Sequence, residues 1–251
     1  MKDRTRFTVI AIILTSVLSL FIFGPANAEE MKHEHGKSAV MDLHHMHTMM
    51  NHGLQMAAEG STLMMLAGMK MTPSLDPVML EHGRQMLAGG KELVEHAMGG
   101  HAMKGLHKAG HGDDPLMKYT HKLGDAIMKV INMLDSMNME GDISGEMMTM
   151  HHMHILINHA LGMAAEGANM SMLGQMGMAK DVDKDSVEHG KMMMSDALKL
   201  LAEVMDSRAM KEMHEKGIKM NNAMMAETHR LDAAAKDVVD LLSGMPACCS
   251  K

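Results

Sequence analysis

Aromatic residues are almost missing from this chain of 251 residues: it has no Trp, one Tyr and three Phe. Phe7, Phe21 and Phe23 all fall in the first 28 residues, so Tyr119 is the only aromatic beyond them. With no rings to stack on bases and a formal net charge of −7, the composition excludes an ordinary nucleic-acid binder. Val, Ile and Thr are also scarce, which argues against a β-sandwich. Cysteine is limited to Cys248 and Cys249, adjacent near the end, so a disulfide scaffold is excluded. The apolar stretch from Thr8 to Phe23 has 16 residues, shorter than the roughly 20 that a spanning helix needs.

What replaces the aromatics is methionine. The chain has 39 Met, about one residue in six, and 19 His. Lys2, Arg4 and Arg6, the apolar stretch and the Ala26-Asn27-Ala28 cleavage pattern together predict a secretory signal peptide over 1–28. An uncleaved anchor is the alternative. Cleavage removes three basic residues and one acid and leaves a net charge of −9, which attracts cations and repels anionic membranes. The expected location is therefore periplasmic or otherwise exported, with no stable membrane insertion after cleavage.

Residues 44–60 and 151–167 are identical at 12 of 17 positions, at a fixed offset of 107. The offset carries Glu81-His82-Gly83 onto Glu188-His189-Gly190, and Met103, Lys104 and His107 onto Met210, Lys211 and His214. With one residue of slip, Thr120-His121 matches Thr228-His229. The chain reads as a tandem duplication. A His-containing tail (29–39) precedes repeat one (40–138), and a linker (139–145) leads to repeat two (146–243). A tail with Cys248-Cys249 (244–251) closes the chain. Helical periodicity and Pro-marked starts predict three long helices and one short one per repeat, hence an all-α, antiparallel helical bundle. The second repeat lacks the glycines of 99–112, so its last helix is expected to be longer.

The chemistry lies in a spacing. His52 and Met56, His82 and Met86, Met103 and His107, and Met117 and His121 stand four apart. So do His159 and Met163, His189 and Met193, Met210 and His214, and Met225 and His229. Four-apart residues share a helix face. Of the 14 His matched between repeats, 12 have a Met four away, where roughly 4 would be expected at this Met content. His44 and His47 are the two without one.

Thioether is a soft neutral donor with little use for Zn, Mg or Ca, and imidazole accepts copper in both oxidation states. Mixed His/Met sites therefore point to copper, Cu(I) above Cu(II). One helical pair supplies two donors, so a full site needs a second pair from a facing helix. His45, His52 and Glu59, with His152, His159 and Glu166, extend the pattern as a seven-residue stripe that reads as a seam of sites. Glu59 and Glu166 serve either as ligands or as partners orienting a His.

An exported helical chain this dense in Met and His resembles periplasmic copper-binding and copper-resistance proteins, at the level of class. The resemblance implies buffering, storage or delivery of copper without catalysis. Metal ions are the expected partners, and no protein partner is legible. No two helical segments carry Glu-x-x-His, C-x-x-C-H is absent, and no nucleophile stands out. Three alternatives stand beside copper: a Met-rich oxidant sink, a helical bundle whose Met merely fills the core, and a bundle holding b-type haem.

Overall fold

A computed structural model describes residues 35–70, 72–137, 145–177, 180–215 and 223–246. The expected signal segment, most of the linker, and Cys248 and Cys249 lie outside these residues. The described part is helical throughout, with no strand. The helices are α1 (His35–Gly68), α2 (Asp76–Gly99), α3 (His101–Lys108), α4 (Pro115–Ser136), α5 (Gly145–Gln175), α6 (Asp183–Asp206), α7 (Arg208–Glu215) and α8 (Ala223–Ser243). A short 3-10 turn, His111–Asp113, precedes α4. None is long and apolar enough to cross a membrane.

Pro77 occupies the first turn of α2, where a missing N–H costs nothing. Asp76 before Pro77 reads in the sequence as the N-cap, but the cap is Leu75, and Asp76, already helical, accepts from Thr72 Oγ1 at 2.8 Å. The longer last helix expected of the second half is not found among the described residues. Helix α8 has 21 residues against 22 in α4, and Arg208–Glu215 is a separate helix.

Helices α1 and α5 are the hubs, packing on each other and on the shorter helices around them. Glycine lets them approach their neighbours. A Cβ at Gly60 would stand 2.5 Å from the Gly83 carbonyl oxygen, and one at Gly167 would stand 2.6 Å from that of Gly190. Asn51 donates to Asn169 Oδ1 at 2.9 Å, and Asn158 donates to Thr62 Oγ1 at 3.3 Å. As numbers rise along α1 they fall along α5, so the two hubs run antiparallel. Under the 107-residue offset these two contacts exchange with each other.

One continuous core runs through both halves, from Met46, Met50 and Leu54 to Leu231, Val238 and Leu242. With no Phe or Trp among the described residues to fill it, methionine does: fourteen of them are buried there. Tyr119, half-buried, ties α4 to α8 by donating to the Leu241 carbonyl at 2.6 Å.

Candidate metal centre

The reversal between α3 and α4 positions the first centre. Gly110 adopts φ 88, the left-handed conformation that glycine reaches without a Cβ clash, and its N–H is bonded to the His107 carbonyl at 3.1 Å. His111 Nδ1 and Asp114 Oδ2 lie 2.7 Å apart, with the ring donating, and Asp114 leads directly into Pro115. A Cβ on Gly112 would come within 2.9 Å of His107 Nδ1, so this turn is packed against the His107 ring.

The turn brings His107 and His121 face to face. Their Nε2 atoms are 3.0 Å apart, and the ring centres are 5.2 Å apart at 39°. In the second half, His214 on α7 and His229 on α8 meet in the same way. Their Nε2 atoms are 3.4 Å apart and the rings are nearly parallel, 4° apart with centres at 5.5 Å. One helical turn before each histidine stands a buried methionine: Met103, Met117, Met210 and Met225. The sequence asked for a second four-apart pair on a facing helix, and here two such pairs face each other in each half.

Two facing Nε2 atoms cannot both keep a proton on the line between them. A neutral pair has one N–H and one lone pair there, and a metal ion takes the place of that proton once it has moved to Nδ1 of the same ring, which leaves both imidazoles neutral. With metal–nitrogen bonds of roughly 2.0–2.1 Å, two imidazoles on one ion have nitrogens about 3.3 Å apart at a tetrahedral angle and about 4 Å apart in line. The 3.4 Å separation of His214 and His229 already lies in that range. His107 and His121 need a slight opening. The donors are neutral and soft, which fits Cu(I).

The other predicted ligands are placed differently. His45, His52, His152 and His159 are exposed, and so are Glu59 and Glu166. The seven-residue stripe thus lies on exposed faces of α1 and α5, with Glu59, His159 and Glu166 at a groove between helices. Met56 and Met163 are half-buried. His82 and His189 are exposed, while Met86 and Met193 are half-buried against the glycine crossings at Gly60 and Gly167. Glu59, His82, Met86, His159, Met163 and Glu166 share the walls of a groove of about 680 Å³ between α1, α2 and α5. That volume is too open for one ion to be held by all of them. Among the described residues no three His, Cys, Asp or Glu are grouped closely enough to hold a metal.

The histidines that do turn inward are the neighbours of the stripe: His44, His47, His151 and His154. His47 Nε2 lies 2.7 Å from Thr120 Oγ1, and His154 Nε2 lies 2.7 Å from Thr228 Oγ1. Burial, helped by the neighbouring His44, pushes the His47 imidazole down to about 4. Burial, helped by His151, does the same to His154. His44 is lowered by burial, and His151 by burial and by His152. Sequence reasoning passed over His44 and His47 because they lack a Met four away. The signal that finds them is the inner stripe of α1: His44, His47, Asn51, Leu54, Ala58, Ser61 and Met65 alternate at three and four residues, and all are buried.

Fold and site together define an all-α helical bundle carrying two imidazole pairs, each backed by buried methionines. Compared with known proteins, the chain matches no family model, no curated protein and no solved structure.

Proposed function

We propose that this protein binds copper, as Cu(I) in preference to Cu(II), at His107 with His121 and at His214 with His229. Met103, Met117, Met210 and Met225 supply the soft donors behind the imidazoles. The role is buffering, storage or delivery rather than catalysis, in an exported protein derived by tandem duplication. The reading is carried by one observation: the same histidine–histidine contact recurs in both halves, at positions that the repeat relates by offsets of 107 and 108 residues. Neither donor type forms disulfides, so the sites suit an oxidising compartment.

The test is an anaerobic Cu(I) titration against a competing chelator, with Zn(II) in parallel. The His107→Ala, His121→Ala, His214→Ala, His229→Ala variant should lose two equivalents of Cu(I). If it binds as much and as tightly as the wild type, the reading is wrong. A structural role for methionine is the second reading, favoured by the fourteen buried Met side chains. It predicts no Cu(I) binding beyond the chelator in either protein.

A further inference from the structure

His44 and His47 are 2% and 0% exposed. Neither ring nitrogen of His44, nor Nδ1 of His47, has a hydrogen-bond partner. His151 repeats the situation, 4% exposed with Nδ1 unpartnered. Each such buried atom costs about 1–3 kcal/mol, and a leucine in the same place would cost none of it. The core accepts that cost in both halves.

The hydrogen bonds make the lone pair explicit. Thr120 has one hydroxyl proton, directed at the Leu116 carbonyl at 2.8 Å. His47 Nε2, 2.7 Å from the same oxygen, must therefore be the donor. A neutral imidazole protonated at Nε2 has a bare Nδ1. Thr228, bonded to the Met224 carbonyl at 3.0 Å, fixes His154 in the same tautomer.

Geometry and surroundings agree. The His44 and His47 ring centres are 6.4 Å apart and nearly perpendicular, at 87°. An ion held in line by two imidazoles, with bonds of roughly 2.0 Å and about 1.1 Å from nitrogen to ring centre, puts the centres about 6.2 Å apart. The same core contains Met46 and Met50. No acid joins these histidines in a metal-sized group. A divalent ion would thus be a buried charge without a counter-charge, whereas neutral soft donors suit a monovalent one.

The geometry points to an interior site for one soft monovalent cation, Cu(I) or Ag(I), between His44 and His47, and the matching burial of His151 and His154 with the His154–Thr228 contact assigns a second to the other half. His47 Nδ1 binds without losing a proton, and His44 turns its unprotonated nitrogen to the ion. The site uses none of the surface histidines proposed above, so either can fail without the other.

The test is an Ag(I) titration of the full chain labelled with ¹⁵N in histidine, followed by imidazole nitrogen resonances. Ag(I) avoids oxidation chemistry during the measurement. The Nδ1 resonance of His47 should shift strongly and saturate at one ion per half. The shift should persist when His107, His121, His214 and His229 are all Ala. Unmoved ring nitrogens of the four buried histidines at saturating Ag(I), in a chain still folded by circular dichroism, would overturn the site. A second check is the His44→Gln, His151→Gln variant, which keeps a polar side chain of similar reach. It should bind two fewer ions than the wild type, and an unchanged stoichiometry would also overturn the proposal. A surface-histidine variant with wild-type stoichiometry would instead sink only the surface reading.

Discussion

His47 donates its Nε2 proton to Thr120 Oγ1 across 2.7 Å, from the inner face of α1 to the inner face of α4. The same contact joins His154 to Thr228, although the two threonines are offset by 108 residues and the two histidines by 107. The one-residue slip is thus absorbed without losing the pair.

Replacing Thr120 or Thr228 by Val removes the acceptor and leaves a buried N–H. Each change should destabilise the fold by about 1–3 kcal/mol. Thermal denaturation at pH 7 measures it. A melting temperature within error of wild type for both variants would mean that the hydroxyls accept nothing important.

Acid should unfold the protein early. In the unfolded chain His47 and His154 titrate near 6.5, but in the fold they are held at about 4. Between those values the unfolded state binds more protons. The neutral rings therefore support the fold fully above about pH 6.5, and that support is lost as pH falls towards 4. Each ring accounts for about 3 kcal/mol by pH 4, and the lowered His44 and His151 add in the same direction. Melting temperatures should drop between pH 6.5 and 4. In the His47→Gln, His154→Gln variant that slope should be much shallower, and an equal slope contradicts the assignment.

Gly60→Ala and Gly167→Ala should each destabilise, because their new Cβ atoms collide with the carbonyl oxygens of Gly83 and Gly190. The cost is about 1–3 kcal/mol of strain. Gly162→Ala, within α5 with nothing inside 4 Å of its Cβ, should stabilise by up to about 1 kcal/mol. Chemical denaturation of the three variants reads the difference in sign.

Much of this was legible in the sequence, and the misses have physical causes. Pro77 and Pro115 marked helix starts correctly because a proline ring fits only a helix's first turn. The four-apart spacing named His107 and His121, whose rings meet. Spacing along one helix cannot say which side turns inward, however, and the stripe of His45, His52 and Glu59 came out exposed. Polar side chains at His44, His47 and Asn51 broke the apolar pattern that would have identified the buried face. The repeated glycines Gly60, Gly83, Gly167 and Gly190 stand in the sequence only as matched positions, whereas in the fold they are contact points between helices. Only a second helix gives a glycine that meaning.

Thioether and imidazole should separate by metal. Met103→Leu with Met117→Leu conserves volume and side-chain shape closely enough that each change should cost under about 1.5 kcal/mol. It removes both sulfurs behind His107 and His121 while leaving the 3.0 Å imidazole pair in place. Cu(I) prefers soft sulfur, so its affinity at this site should fall by about tenfold or more. Zn(II) relies on the imidazoles and should bind this variant as it binds the wild type. His107→Ala with His121→Ala should abolish both at this site and leave the His214–His229 site as it was. Competition titrations of the two metals against the two variants distinguish the donors. Equal losses of Cu(I) and Zn(II) in the leucine variant would show that the methionines hold the helices together rather than the ion.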